Sequence, residues 1–286
     1  MVRGTTSVVG VFGWPVRHSA SPAMHNAAFA DLGLDWVYVP FAVAPKSVGQ
    51  ALEGVRALNI VGVNVTVPLK ERVLPYLDSC SESARAIGSV NTIVHREGRL
   101  HGESTDGPGF LAALHHAGLP VRPQTRAVVL GAGGSARAVI RALLEAGAHV
   151  IVANRTPNRA ADLVRAVTDG LPDPHIDLTA LEEPALRNAL ENADLLVNTT
   201  SVGMAPHTEE VLPVPATLPG RLLVVDLIYN PIETRLLRQA RESGCRTQNG
   251  IEMLVRQGAI SFRHWTGREP SIDRMREAVE AVLAGS

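Results

Sequence analysis

Lysine is almost missing from this chain: of its 27 basic residues only Lys46 and Lys70 are lysines, and every other one is arginine. Cysteine is equally scarce. Cys80 and Cys245 lie far apart and form no CxxC pair, which excludes a disulfide framework or thiol redox motif and predicts a reducing, cytoplasmic compartment. The formal net charge is only −1, with acidic and basic residues mixed along the chain, so no nucleic-acid partner or anionic membrane surface is indicated. No apolar run approaches the ~20 residues of a membrane span, and the N-terminus lacks a signal-peptide pattern. Ten histidines are present, but without HExxH or Cys/His clustering, and the adjacent His115 and His116 would point to different sides of a helix; no metal site is expected. Repeats and low-complexity segments are absent too.

What remains is an ordinary chain of 286 residues, long enough for about two domains that bury roughly 75% of their unfolded surface. Its apolar pattern alternates between strand and helix periods: strand Val8–Phe12, helix Pro22–Leu32, strand Trp36–Phe41, helix Ser47–Leu58, strand Ile60–Val67. Crossover helices between strands predict a mainly parallel, twisted sheet. Asn91–His95 and Arg99–Gly102 flank Arg96-Glu97-Gly98 as a hairpin that would add an antiparallel edge. A second alternation follows: strand Ala127–Leu130, helix Ser135–Ala146, strand Val150–Ala153, helix Asn158–Val167, a strand near Ile176, then strands Leu195–Asn198 and Leu222–Asp226. Leu171–Pro174 and Pro206–Pro219 read as surface loops. Two helices, Ile251–Thr266 and Ile272–Leu283, close the chain and would pack back on the first domain. The expected architecture is therefore α/β, with one domain from residues 1–106 plus 252–286 and a second from 107–251.

The second domain carries the clearest motif. Gly131-Ala132-Gly133-Gly134-Ser135-Ala136 fits G-x-G-x-x-A after an apolar strand and at the opening of a helix. Gly131 permits the tight turn, Gly133 lets backbone approach a pyrophosphate, and Ala136 allows close helix packing. The helix N-terminus adds unpaired N–H groups and a positive dipole end. At the end of the next strand, where NAD-binding folds place an acid, stand Asn154-Arg155-Thr156, and between Val150 and Ala161 the only charges are Arg155 and Arg159. Guanidinium groups suit a 2′-phosphate, so NADP is preferred over NAD. For Arg159 a solvated helix face is an equal alternative.

Candidate substrate residues lie in the first domain. Ser19 and Ser21 would point the same way in extended backbone and suit a carboxylate or polyol; Ser21 before Pro22 is alternatively a helix N-cap. Asn64 and Thr66 stand at the carboxyl end of a strand, where open α/β sheets bind ligands. Lys70 follows them. A lysine ammonium is compact, can release its proton and shifts its pKa readily in a cleft, unlike arginine, although a surface lysine after a strand is the plainer reading of that residue alone. Asn91 opens another strand, and Asp106 precedes a helix that it would serve as N-cap or as a functional carboxylate. Gln257 borders the core on a helical pattern and, as a buried amide, needs a ligand or a backbone partner. Phe262 and Trp265 read as core.

Together these motifs resemble the shikimate dehydrogenase family. The resemblance runs nearly the full length, through Ser19–Pro22, Asn64–Lys70, Gly88–Thr92, Thr105–Gly107, Gly131–Ala136, Asn154–Thr156, Asn198–Met204, Asp226–Pro231 and Gly250–Gln257; the loop Ala205–Pro219 offers little to match. It implies an N-terminal substrate-binding domain, a Rossmann-type NADP-binding domain, and NADP-dependent interconversion of 3-dehydroshikimate and shikimate in aromatic amino-acid biosynthesis. It further implies Ser19 and Ser21 on the substrate carboxylate, with Thr66, Asn91, Asp106, Tyr229 and Gln257 completing the pocket. Lys70 would be the acid/base and Asp106 its partner. On the cofactor side it implies Gly131, Ala132, Gly133, Gly134 and Ser135 as the pyrophosphate loop, and Asn154, Arg155, Thr156 and Arg159 as the 2′-phosphate clamp. Leu227 and Gly250 would line the nicotinamide. Glu82 aligns with a position sometimes linked to cofactor and is expected instead to cap its own helix. Tyr229 is alternatively an amphipathic ring under a turn. A monomer or homodimer is expected, with the two domains closing over the ligand. The rival readings are a quinate/shikimate dehydrogenase of broader specificity and a non-catalytic NADP-binding sensor. Arg155 and the paired serines oppose the first; Lys70 with Asp106 opposes the second, since a binder needs no proton donor.

Overall fold

The structure is a computed structural model that describes residues 2–285. In chain order the first elements are β1 (Ser7–Gly13), α1 (Ser21–Asp31), β2 (Trp36–Ala42), α2 (Val48–Ala57), β3 (Gly62–Val65), β4 (Ser79–Cys80), α3 (Glu82–Ile87), β5 (Thr92–Arg96), β6 (Arg99–Glu103) and α4 (Asp106–His116). They continue as β7 (Arg126–Leu130), α5 (Gly134–Glu145), β8 (His149–Asn154), α6 (Pro157–Thr168), β9 (Ile176–Ala180), α7 (Glu183–Leu190), β10 (Leu195–Asn198), β11 (Leu223–Asp226), α8 (Arg235–Glu242), β12 (Arg246–Gln248), α9 (Ile251–Thr266) and α10 (Ile272–Ala284). The chain divides into two compact units, one through Gly109 and again from Leu254, the other Phe110–Met253. The crossings fall inside α4 and α9.

In the first unit the sheet order is β2-β1-β3-β5-β6-β4. β1 is parallel to β2 and β3, whereas β5 is antiparallel to both β3 and β6. The β5–β6 hairpin turns on Glu97 and Gly98, both at positive φ (51° and 77°), the backbone a two-residue hairpin of this hand demands. That hairpin is not the sheet edge, as its sequence suggests; the two-residue strand β4, too short to show a period, pairs parallel to β6 outside it. β3 also ends at Val65, short of the expected Val67, because Thr66–Leu69 folds into a turn (Leu69 N–H to Thr66 O, 2.9 Å).

One core of this sheet joins Phe12, Leu52, Val63, Leu69, Val73, Ile93 and Leu100. On α9, Phe262 stacks on Phe29 (centroids 4.9 Å apart), and the Trp265 indole N–H donates to Ile93 O at 3.1 Å. The indole passes so close to Gly62 that a Cβ there would lie 2.3 Å from Nε1. Helix starts follow local chemistry: Ser81 caps α3 through Ala84 N–H, so Glu82 is merely an exposed first-turn acid and not its cap. The N-cap of α1 is Ala20, not Ser21, which is already the first helical residue.

The second unit has the all-parallel order β12-β11-β10-β7-β8-β9. Renumbered from its own first strand this is the doubly wound dinucleotide-binding order, whose switch point lies between β7 and β10. Successive strand residues bury on opposite faces: Val129, Val152 and Val197 join one core, Val128, Leu130 and Leu196 the other. That double burial is why these strands read as continuous apolar runs. The stretch 206–219 is irregular but not all surface, since Val214 and Leu218 are buried in the second core.

Candidate functional site

The loop after β3 carries Lys70. Leu69 and Val73 on either side are fully buried, and Val90 N–H holds the Lys70 carbonyl at 2.9 Å, so the root of the side chain is fixed. Its ammonium meets Asp106 Oδ2 at 2.5 Å, with side-chain exposures of 11% and 7%. Asp106 sits within the first turn of α4, and its carboxylate is engaged elsewhere than in capping: Oδ1 accepts from Asn91 Nδ2 at 2.8 Å. The plain surface reading of Lys70 fails here.

Asn91 is the hub. Its Nδ2 also approaches Thr105 Oγ1 (2.9 Å) and Gln257 Oε1 (3.1 Å), while its Oδ1 accepts Thr105 N–H (2.7 Å). Three acceptors share two amide hydrogens. Gln257, on α9, completes its bonding by donating to Leu254 O at 2.8 Å, the backbone partner its burial calls for. One turn on, Ser261 bridges Thr92 Oγ1 (2.7 Å) and Asn64 Nδ2 (3.0 Å), and Asn64 Oδ1 accepts Tyr38 OH at 2.8 Å. Tyr38 stacks on His25 with centroids 4.4 Å apart. Burial pushes the His25 imidazole down to about 3, opposed to a lesser extent by Asn64, so it stays uncharged at neutral pH.

Thr92, Thr105, Ser261 and Tyr38 were not singled out from sequence. Thr92 and Thr105 do stand within the motif stretches Gly88–Thr92 and Thr105–Gly107, and Ser261 lies four residues from Gln257 on one helix face. Ser19, Ser21 and Thr66 form no hydrogen bond to this cluster among the described residues. Ser19 and Thr66 lie on the loops leaving the adjacent strands β1 and β3, and Ser21 is the first residue of α1. Ser21 N–H donates to Ser19 Oγ at 3.3 Å, which bends the pair into a turn instead of the extended run expected. Thr66 N–H reaches Phe12 O at 2.9 Å, and its methyl packs where a Cβ on Gly13 would lie 2.6 Å away.

In the second unit, Gly131 closes β7 at φ +111°, and a Cβ there would meet Thr199 Oγ1 at 2.7 Å. Gly133 is the N-cap of α5 and has no side chain to bond the first-turn N–H groups; nothing lies within 4 Å of where a Cβ on it would sit. Open space over an uncapped helix start fits a pyrophosphate. At the end of β8, Asn154 Nδ2 donates to Thr156 O (2.9 Å), shaping the turn that presents Arg155, Thr156 and Arg159, all exposed. Neither arginine has an ion-pair or hydrogen-bond partner among the described residues, although many other arginines here are paired. Two free guanidinium groups suit a dianionic phosphate. Leu227 follows β11, its N–H on Asn198 O (3.0 Å), and Gly250 N–H bonds Ile228 O (2.9 Å). A Cβ on Gly250 would lie 2.1 Å from Leu227 O. Tyr229, two residues on, belongs to this second unit.

Comparison with known proteins agrees along the whole chain. The profile described as shikimate dehydrogenase substrate binding domain matches residues 11–93, that of shikimate / quinate 5-dehydrogenase residues 115–236, and that of the shikimate 5′-dehydrogenase C-terminal domain residues 250–280. The chain is 48% identical over 291 residues to the shikimate dehydrogenase (NADP(+)) of Moorella thermoacetica, covering 99% of this chain and 97% of the relative. It is similar to the solved structure of shikimate 5-dehydrogenase from Thermus thermophilus in complex with NADP(H) and shikimate, at 42% identity and TM-score 0.87, covering 97% and 100% of the two chains. A quinate dehydrogenase from Corynebacterium glutamicum in complex with NAD is more distant in sequence, at 33% identity and TM-score 0.85, over 97% and 100%.

Proposed function

Because this chain belongs to the shikimate dehydrogenase family, we infer that it is an NADP-dependent oxidoreductase that interconverts 3-dehydroshikimate and shikimate in aromatic amino-acid biosynthesis. The observation that carries this reading is the nearly buried Lys70–Asp106 pair, 2.5 Å apart, tied through Asn91 to Gln257. Reducing a ketone builds negative charge on its oxygen, and bound NADPH supplies the hydride. Lys70 is the group that stabilises that charge and then donates the proton, and in the reverse direction removes it. Asp106 holds the ammonium at a fixed point, so little reorganisation is needed as charge develops. A binder without chemistry would have no use for this pair.

In the same reading Ser19 and Ser21 hold the substrate carboxylate, while Thr66, Asn91, Asp106 and Gln257 bond its hydroxyls, with Tyr229 as a further contact. Gly131, Ala132, Gly133, Gly134 and Ser135 receive the pyrophosphate through backbone N–H groups. Asn154, Arg155, Thr156 and Arg159 clamp the 2′-phosphate, supported by the two unpaired guanidinium groups; Leu227 and Gly250 flank the nicotinamide. The first unit is thus the substrate-binding domain and the second the NADP-binding domain, acting as monomer or homodimer. Two free cysteines, Cys80 and Cys245, support a reducing, cytoplasmic setting. No described helix is long and apolar enough to cross a membrane.

The test is to mix the protein with NADPH and 3-dehydroshikimate and follow nicotinamide absorbance. Rapid oxidation is expected. Intact NADPH binding without oxidation would leave a sensor, and faster turnover with NADH or 3-dehydroquinate would make it a quinate-type paralogue.

A further inference from the structure

Two fully buried polar side chains that the proposed chemistry does not use, Asn198 and Asp226, face each other across the carboxyl ends of β10 and β11. Asn198 Nδ2 donates to Asp226 Oδ1 at 2.9 Å, and Ile228 N–H donates to the same oxygen at 3.1 Å. The other oxygen, Oδ2, accepts Thr234 Oγ1–H at 2.7 Å. Each of these partners has a second duty. Asn198 Oδ1 accepts both Thr200 N–H (2.9 Å) and Thr200 Oγ1–H (2.7 Å), shaping the loop beside Gly131. Thr234 caps α8 by accepting Leu237 N–H at 3.4 Å. The backbone between them, Leu227–Ile228, is clamped from the far side by Gly250, whose N–H holds Ile228 O at 2.9 Å.

A carboxylate is an unfavourable choice for this position if structure alone were served. No cation pairs with it among the described residues, and burial pushes Asp226 up to about 6 against the pull of its three hydrogen bonds. An ionised carboxylate, however, is acceptor-only with both oxygens, so it receives all three donors at once; an asparagine amide would have to turn one N–H₂ face toward them. Perturbed buried carboxylates concentrate where function requires them. We propose that Asp226 is a positioning residue for hydride transfer: by locking Ile228 N–H, Asn198 and Thr234 to one group, it sets the Leu227–Ile228 backbone that, with Gly250, forms the wall against which the nicotinamide ring is held. The inference rests on the reading of Leu227 and Gly250 as that wall. Asp226 touches neither substrate nor cofactor in this role and acts through the backbone it fixes. A small displacement of such a wall tilts the donor carbon away from the attack line, to which hydride-transfer rates are acutely sensitive.

The experiment compares wild type with Asp226→Ala, Asp226→Asn and Thr234→Val. It measures NADPH affinity by fluorescence, single-turnover oxidation with 3-dehydroshikimate, and the isotope effect with NADPH deuterated at the transferred position. Because pyrophosphate and 2′-phosphate contacts are untouched, NADPH affinity should change by less than about threefold in all variants. The single-turnover rate should fall on the order of 10–100-fold in Asp226→Ala and by roughly 3–10-fold in Asp226→Asn and Thr234→Val, with the isotope effect rising as hydride transfer limits turnover. A merely structural role would lower the melting temperature and the active fraction but leave the rate per bound NADPH and the isotope effect unchanged; that result in Thr234→Val and Asp226→Asn, the variants least exposed to misfolding, would overturn the proposal. A wild-type protein without turnover would instead overturn the functional reading and this inference with it.

Discussion

The two halves of the proposed reaction are recognised by opposite means. In the first unit the proposed groups are side chains: Lys70, Asp106, Asn91 and Gln257 are buried or nearly so and bonded to one another. In the second the proposed groups are chiefly backbone, at the open turn Gly131–Gly133 and the close approach at Gly250, with Arg155 and Arg159 exposed and unpaired among the described residues. The difference follows from what each must hold. A small ring bearing several hydroxyls demands directional donors and acceptors fixed before it arrives, since a misplaced buried polar group is costly. A dinucleotide offers phosphates, for which amide N–H groups and exposed cations suffice.

The contrast is broken most severely by Lys70→Ala. Removing the proposed acid/base should lower turnover by about 10²–10⁴-fold, with NADPH affinity nearly unchanged, since Lys70 is not among the residues proposed to hold the cofactor. Turnover near wild type, measured at saturating substrates, would remove Lys70 from the mechanism. A smaller effect is expected at the other end: Arg155→Ala should weaken NADPH about 10–100-fold while leaving NADH almost untouched. Raised ionic strength should mimic it in part, since exposed charges are screened far more than the nearly buried Lys70–Asp106 pair. Equal losses for both cofactors in titration would show that the arginine does not read the 2′-phosphate.

The mildest test concerns stability. In the folded protein Asp226 titrates at about 6 instead of 3.8. The native state therefore keeps a proton that the unfolded chain has released, so this group favours the fold below about pH 4 and loses that contribution as pH rises through 6. At 1.36 kcal/mol per pH decade the difference is on the order of 3 kcal/mol. Asp226→Asn abolishes the titration. Its melting temperature relative to wild type should climb by several degrees between pH 4 and pH 7, the window between the two pKa values, and parallel melting curves across that range would show the carboxyl to be unperturbed.

Legibility from sequence followed locality. The strands of the second unit, buried on both faces, and its glycine turn were visible because their signals lie within a few residues. The short elements β4, α7, α8 and β12 were not, since two to eight residues carry too little period. Ser21 looked like a helix cap by residue type, yet the helix takes Ala20 as its boundary and leaves Ser21 inside the first turn. Residues 206–219 looked like surface because they are rich in proline, yet Val214 and Leu218 fill a core reachable only once β11 and α8 are in place.

What the sequence determined by itself is the division of labour: two α/β halves, a dinucleotide turn, arginines where NAD-binding folds carry an acid, and a lysine that its own composition makes conspicuous. What only the tertiary structure decided is which polar groups meet. Asn91 bonds residues 14, 15 and 166 positions away, and Asp226 gathers partners from β10, its own turn and the cap of α8. Periodicity reports which face of an element is buried. It carries no information about which distant side chain will stand within 3 Å, because that distance is set by the packing of the whole sheet and not by any local preference of the chain.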